Sequence, residues 1–143
     1  TFALLATTPM KKVMVFGVFD GIHEGHKAFL KEAKAYGEYV IAVVAQDHIV
    51  AHLKGHLPKI DVGERIAHLE AEDHVDEVVI GDRELSSWEV VKKYQPDVIA
   101  LGYDQDMLRE DLEKHIEQLG YVPEIVELSG FEPNINHSSL LNT

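Results

Sequence analysis

The chain contains no cysteine in its 143 residues. Disulfides, thiolate nucleophiles, thiolate zinc sites and cysteine-ligated iron–sulfur clusters are thereby excluded. Positive charge is also scarce: 13 lysines and arginines stand against 25 acids, a formal net charge of −12. Such a surface repels nucleic acid and anionic membranes, and no basic stretch interleaved with aromatics offsets it. Neither is therefore expected as a partner, whereas a small anionic substrate needs only a few local positive groups. No apolar run approaches the ~20 residues of a membrane-spanning helix. The opening stretch, residues 1–10, is short, partly apolar and without a basic leader, so it reads as a loosely held arm and not a signal peptide. A cytoplasmic location is the expectation.

With 45% hydrophobic and 27% charged residues, the remainder, residues 11–143, fits one compact domain. Short apolar runs predict buried strands at Val13–Phe16, Val40–Ala45, Val75–Ile80, Val98–Leu101 and Ile125–Leu128. Helical spacing predicts helices over Gly25–Tyr36, Val62–Glu70 and Ser86–Tyr94, the last with a serine cap. A further helix carries Leu108, Leu112, Ile116 and Leu119 and ends at Gly120. The segment Gln46–Ile60, with Gly55 and Pro58, reads as a loop with one helical turn at most. Strands alternating with helices of roughly 10–15 residues predict an α/β domain, doubly wound, with a five-stranded, mostly parallel sheet. Ligands bind such folds at the carboxyl ends of the strands, where the strand order switches. His23, Asp47, Gly81 and Gly102 all follow predicted strands and can converge there.

The most informative stretch joins the first strand to the first helix: Val15-Phe16-Gly17-Val18-Phe19-Asp20-Gly21-Ile22-His23-Glu24-Gly25-His26. Gly17 and Gly21 remove side-chain bulk where a ligand must approach backbone, and Gly25 allows tight passage between the histidines. His23 and His26, three residues apart at a helix start, form a concentrated site for phosphate oxygens beside unpaired backbone N–H groups. The competing use of the pair is local, with one histidine capping the helix and the other packed over the sheet.

Gly17 through His26 resembles the nucleotidyltransferase signature glycine-x-phenylalanine-aspartate-x-x-histidine-x-glycine-histidine of cytidylyltransferases and adenylyltransferases. The resemblance runs from Lys11 over nearly the whole chain. It implies a Rossmann-like fold and transfer of a nucleoside monophosphate from a triphosphate to a phosphate-bearing acceptor, with pyrophosphate released. It further implies that His23 and His26 hold the triphosphate, that Phe16, Gly17, Val18 and Phe19 run beside the nucleotide, and that Asp20 organises the loop. Lys54 matches the loop lysine that contacts phosphate in relatives. Arg65, in Gly63-Glu64-Arg65-Ile66, resembles the family's glutamate–arginine pair and is expected to bridge phosphates through its planar fork. A helix-surface ion pair with Glu64 or Glu72 is the plain alternative.

Leu101-Gly102-Tyr103-Asp104-Gln105 resembles the corresponding segment of archaeal flavin-adenine-dinucleotide synthases. This implies ATP as co-substrate with Mg²⁺ or another divalent cation, and flavin mononucleotide as acceptor. Gly102 would permit close approach, Asp104 would bind ribose or organise the metal-bound site, and Gln105 would add polar recognition. CTP with glycerol phosphate or a sugar phosphate is the second enzyme reading, and a weak regulatory nucleotide-binding domain is the third. The third is motivated by the tail: Ser138 and Ser139 match hydroxyls that lie beneath the triphosphate in relatives, but Leu140 stands where many carry a basic residue. The same resemblance implies a homodimer.

Other clusters have plainer readings. His48, His52 and His56 are spaced for metal ligation only on an unbroken helix, which Gly55 and Pro58 argue against. Glu70, Glu72, Asp73, Asp76 and Glu77 read as a solvated face, as do Asp111, Glu113 and Glu117. Trp88 and Tyr103 serve equally well as base contacts or as core and rim. Neither a Walker ending nor a three-glycine dinucleotide fingerprint is present.

Overall fold

The structure, a computed structural model, describes residues 10–129. Five strands, β1 (Lys12–Gly17), β2 (Tyr39–Val44), β3 (Glu77–Ile80), β4 (Val98–Leu101) and β5 (Glu124–Glu127), form one sheet in the order β3-β2-β1-β4-β5. Every pairing is parallel. The helices are α1 (Glu24–Lys34), α2 (Asp47–Lys54), α3 (Val62–Glu70), α4 (Glu89–Tyr94) and α5 (Asp106–Lys114), with a 3₁₀ turn at Ile116–Leu119.

Alternation along the strands divides the core into two layers. Val13, Val15, Val40 and Ala42 face α1 and α3 through Phe29, Leu30, Ala33 and Leu69. Met14, Ile41 and Ile99 face the opposite way, onto Trp88, Val91, Leu112 and Leu119. Burial on both faces explains why β1, β2 and β4 are continuous apolar runs. Each fully buried aliphatic side chain contributes roughly 1.5–3 kcal/mol. The doubly wound parallel sheet expected from the sequence is the observed architecture, and its strand order switches between β1 and β4.

Three helical segments and two strand starts differ from the sequence reading. Asp47–Lys54 is a helix of two turns, not a loop, and Gly55 is its stop signal: it adopts φ 80°, the left-handed conformation that glycine takes without a Cβ penalty. The third helix of the sequence reading begins at Glu89, and its cap is Asp82, whose carboxylate accepts from the N–H groups of Glu89 and Val90. Ser86 instead has φ 63° and hydrogen-bonds Asp111. The helix read through Leu119 breaks at His115 into α5 and the 3₁₀ turn. Strands β3 and β5 begin at Glu77 and Glu124, against the expected Val75 and Ile125.

Candidate functional site

The β1–α1 loop is tightly folded before any ligand is considered. Phe19 sits at φ 54°, a costly conformation for a bulky residue, and is almost wholly buried. Its ring occupies the space above Gly17, where a Cβ would lie 2.8 Å from the ring edge. Phe19 also packs against the His26 ring, with centroids 5.4 Å apart. Val18 and Phe19 are thus core residues holding the loop from below. Asp20 reaches away from its own helix: its two carboxylate oxygens accept from Lys59 N–H at 2.8 Å and Ile60 N–H at 2.9 Å. It therefore joins this loop to the segment that follows α2, which agrees with an organising role.

His23 and His26 take up the local role that the sequence set against phosphate binding: one caps the helix and the other packs beneath it. His23 is the N-cap of α1, and its Nδ1 accepts from Gly25 N–H at 3.0 Å. His26 Nδ1 accepts in return from His23 N–H at 3.3 Å. Two helix-start donors expected to be open to phosphate are therefore occupied by imidazole. The two rings lie 3.9 Å apart between centroids. An imidazole that accepts at Nδ1 carries its proton at Nε2, so the cap also selects the tautomer. Burial pushes the His26 pKa down to about 4, and the neighbouring His23 and Lys54 add to the fall against the Gly21 carbonyl. His26 is thus neutral at neutral pH.

Lys54 ends α2 and is half-buried. Burial lowers its pKa, while the negative charges of Asp20 and Asp104 pull it back up. This lysine is therefore electrostatically in touch with His26, Asp20 and Asp104, which come from the β1 and β4 ends. The lysine that the sequence assigned to a loop converges on the histidine loop because α2 carries it there.

Arg65 is placed differently from the expected fork on phosphate. It has 0% exposure, and each guanidinium nitrogen is committed to protein. Nη1 donates to Val18 O at 2.7 Å, Nη2 to Asp47 Oδ1 at 2.6 Å, and Nε to Ile60 O at 2.9 Å. Its carboxylate partner is Asp47, not Glu64 or Glu72. Arg65 straps the histidine loop, the start of α2 and the segment before α3 into one unit. The sequence signal for this strap was Asp47 itself, an acid two residues after a predicted strand.

At the β4 end, Gly102 is buried, and a Cβ there would meet Asp104 Oδ1 at 2.8 Å. Asp104 therefore lies folded over Gly102. Gln105 spends both ends of its amide on backbone, accepting from Gly102 N–H at 2.8 Å and donating to Phe16 O at 2.9 Å. Phe16 makes an edge contact with Trp88, centroids 5.7 Å apart, and the indole N–H donates to Asp111. Trp88 is thus a core residue and not a base contact, and Asp111, read as helix exterior, is a structural acceptor for Trp88 and Ser86.

His48, within α2, bonds the Arg83 carbonyl, and His56 lies beyond Gly55 against the Leu57 carbonyl. Among the described residues no three His, Asp or Glu side chains gather to hold a metal ion. No helix among them is long and apolar enough to cross a membrane. Ser138 and Ser139 lie outside the described residues, as does all but Met10 of the expected N-terminal arm.

A doubly wound sheet with paired histidines, a lysine and an aspartate at its switch point defines a nucleotide-handling α/β domain. The chain belongs to the cytidylyltransferase-like family, which matches residues 14–139. It is 44% identical over 117 residues to the FAD synthase of Pyrococcus horikoshii, spanning 82% of this chain and 79% of that one. It is 36% identical over 132 residues to the FAD synthase of Thermoplasma acidophilum, covering 92% of each. The solved structure of a lipopolysaccharide core biosynthesis protein from Thermoplasma volcanium superposes with a TM-score of 0.79 at 35% identity, covering 87% of this chain and all of that one. A pantoate–β-alanine ligase from Francisella tularensis shares the fold, with a TM-score of 0.60 at 12% identity, over 88% of this chain and 62% of that one. Membership of the family supports the enzyme class read from the sequence, a nucleotidyltransferase.

Proposed function

We propose that the chain transfers AMP from ATP to flavin mononucleotide, forming FAD and pyrophosphate. The observation that carries this reading is the His23–His26 pair, locked with Nε2 as the proton-bearing atom beside Lys54 at the switch point. The FAD synthases at 44% and 36% identity supply the substrate class.

In the reaction, a phosphate oxygen of flavin mononucleotide attacks the α-phosphorus of ATP. A new P–O bond forms, the bond to the bridging oxygen of the β-phosphate breaks, and pyrophosphate leaves with its electron pair. The attacking phosphate, with a second pKa near ~6, is already ionised at neutral pH, so no general base is required. Catalysis is positioning plus charge stabilisation. His23 and His26 offer N–H donors to the oxygens where negative charge grows, and Lys54 supplies the full positive charge. The neutral His26 fits this task because such a donor strengthens as charge develops without holding the ground-state triphosphate too tightly. Asp20 and Arg65 act one step back, holding the loop and α2 in register. Ser138 and Ser139 would add hydroxyl contacts.

Magnesium in phosphoryl-transfer sites is held by one or two carboxylates together with substrate phosphates. Asp104 is the carboxylate at the crevice that suits this, since both Asp20 oxygens are engaged by backbone. The ion would neutralise charge on the departing pyrophosphate. A homodimer and a cytoplasmic location accompany this reading as expectations.

The test is pyrophosphate release across ATP and CTP, each with flavin mononucleotide, glycerol phosphate or no acceptor. Release that requires ATP and flavin mononucleotide together supports the assignment. Release with CTP and glycerol phosphate alone would replace it with the cytidylyltransferase reading.

A further inference from the structure

The β1–β4 ladder stops early, and one side chain stands where its closing rung belongs. β1 pairs with β2 along all six residues, Lys12↔Tyr39 through Gly17↔Val44. With β4 it pairs only at Val13↔Val98 and Met14↔Ile99, although β1 continues to Gly17 and β4 to Leu101. In-register continuation would set Phe16 opposite Leu101. The carbonyls of Asp97 and Leu101 accept from Glu124 and Leu128 N–H on the β5 side. Alternation then turns Val98, Ala100 and Gly102 toward β1. On the other side, the carbonyls of Lys11 and Gly17 accept from Tyr39 and Ala45 N–H, so Lys12, Met14 and Phe16 face β4. A continued ladder would pair Phe16 N–H with Ala100 O and then close on the rung from Gly102 N–H to Phe16 O.

Those are the two groups held by Gln105. Its Oε1 takes the Gly102 N–H and its Nε2 gives a hydrogen to Phe16 O. The carboxamide has the same donor and acceptor as a peptide unit, so it satisfies both strands while keeping them from closing on each other. We infer that Gln105 is a positioning residue: its amide is wedged into the β1–β4 ladder and holds open the crevice in which the nucleotide binds. This rests on the nucleotide occupying the switch point, as proposed above. It also gives Gln105 a task other than direct recognition of the ligand, since both amide atoms are engaged with backbone in the structure.

The chemistry dictates the substitutions. Glutamate keeps the acceptor for Gly102 but cannot donate to Phe16 O, and methionine offers neither with similar bulk. Alanine removes the wedge and leaves Phe16 O and Gly102 N–H able to pair directly. In Gln105→Ala the melting temperature should stay at or above the wild-type value, because a ladder rung replaces the amide. ATP affinity should fall at least about tenfold, with Gln105→Met and Gln105→Glu also weakened. A residue that merely braced the fold would do the opposite, lowering melting temperature and leaving the ATP Kd of the folded fraction alone.

The experiment is isothermal titration of ATP into wild type and the three variants, with thermal melts and through-hydrogen-bond NMR couplings in the free proteins. In wild type, Gly102 N should couple to the Gln105 side-chain carbonyl, and in Gln105→Ala to the Phe16 carbonyl. Wild-type binding of ATP with an ATP Kd within twofold in Gln105→Ala overturns the wedge. Failure of wild type itself to bind ATP overturns instead the reading of the crevice as a nucleotide site.

Discussion

The imidazoles of His23 and His26 lie 3.9 Å apart, and each accepts through Nδ1 a backbone N–H of the same helix start. One pair of side chains thus builds the helix cap and sets the chemistry of its own outer edge. The two contributions are separable by substitution. Asparagine is as good an N-cap as any residue, so His23→Asn should keep folding stability within about 0.5 kcal/mol. It removes the outward imidazole donor, so kcat/KM should fall by about 10²–10³-fold, the usual cost of losing one transition-state donor. Urea unfolding and steady-state kinetics on the same preparation check both halves.

The His26 ring links this site to pH. Its pKa is depressed from 6.5 to about 4 by burial first and then by His23. In the unfolded chain it takes up a proton near pH 6.5, while the folded chain resists until about pH 4. Its contribution is therefore complete above pH 6.5 and is lost as pH falls from 6.5 to 4. Over that window it adds a slope of up to about 1.4 kcal/mol per pH unit. His26→Asn should flatten the stability profile there relative to wild type, and denaturant titrations at pH 7, 6, 5 and 4 read the difference. Parallel profiles for the two proteins would contradict it.

Arg65 should behave as a strap. Its buried charge is neutralised by Asp47 and its donors are filled by Val18 and Ile60. Removing Asp47 leaves a buried cation unpaired, so Asp47→Ala should cost about 3–5 kcal/mol, reduced to the extent that water reaches this partly exposed carboxylate. Arg65→Lys should also destabilise, because an ammonium on a single stem cannot serve three separated acceptors in a planar fork. Urea midpoints measure both losses, and a change below about 1 kcal/mol in either variant would contradict the strap.

How far the sequence could be read depended on whether a residue's partners were near in the chain. Val13–Phe16 and Val98–Leu101 were visible as apolar runs because strands buried on both faces need no alternation. The histidine loop was visible because all its residues are contiguous. Helix α2 was hidden by Gly55, which reads as a breaker but is the left-handed stop of a short helix. The structural partners of Arg65, Gln105 and Asp111 were hidden for a shared reason. These partners lie 47, 89 and 23 residues away, at Val18, Phe16 and Trp88, and only the folded chain brings them together. Asp82 caps α4 from seven residues before Glu89, where no local capping pattern points.

The most direct test of FAD synthesis by this chain is chromatographic and mass-spectrometric detection of FAD from ATP, flavin mononucleotide and Mg²⁺, with His23→Asn beside the wild type. Wild type should form FAD and pyrophosphate in equal amounts, with the rate lowered about 10²–10³-fold in the folded variant. Wild-type protein that binds ATP and flavin mononucleotide yet forms no FAD, or a variant as fast as wild type, would contradict it.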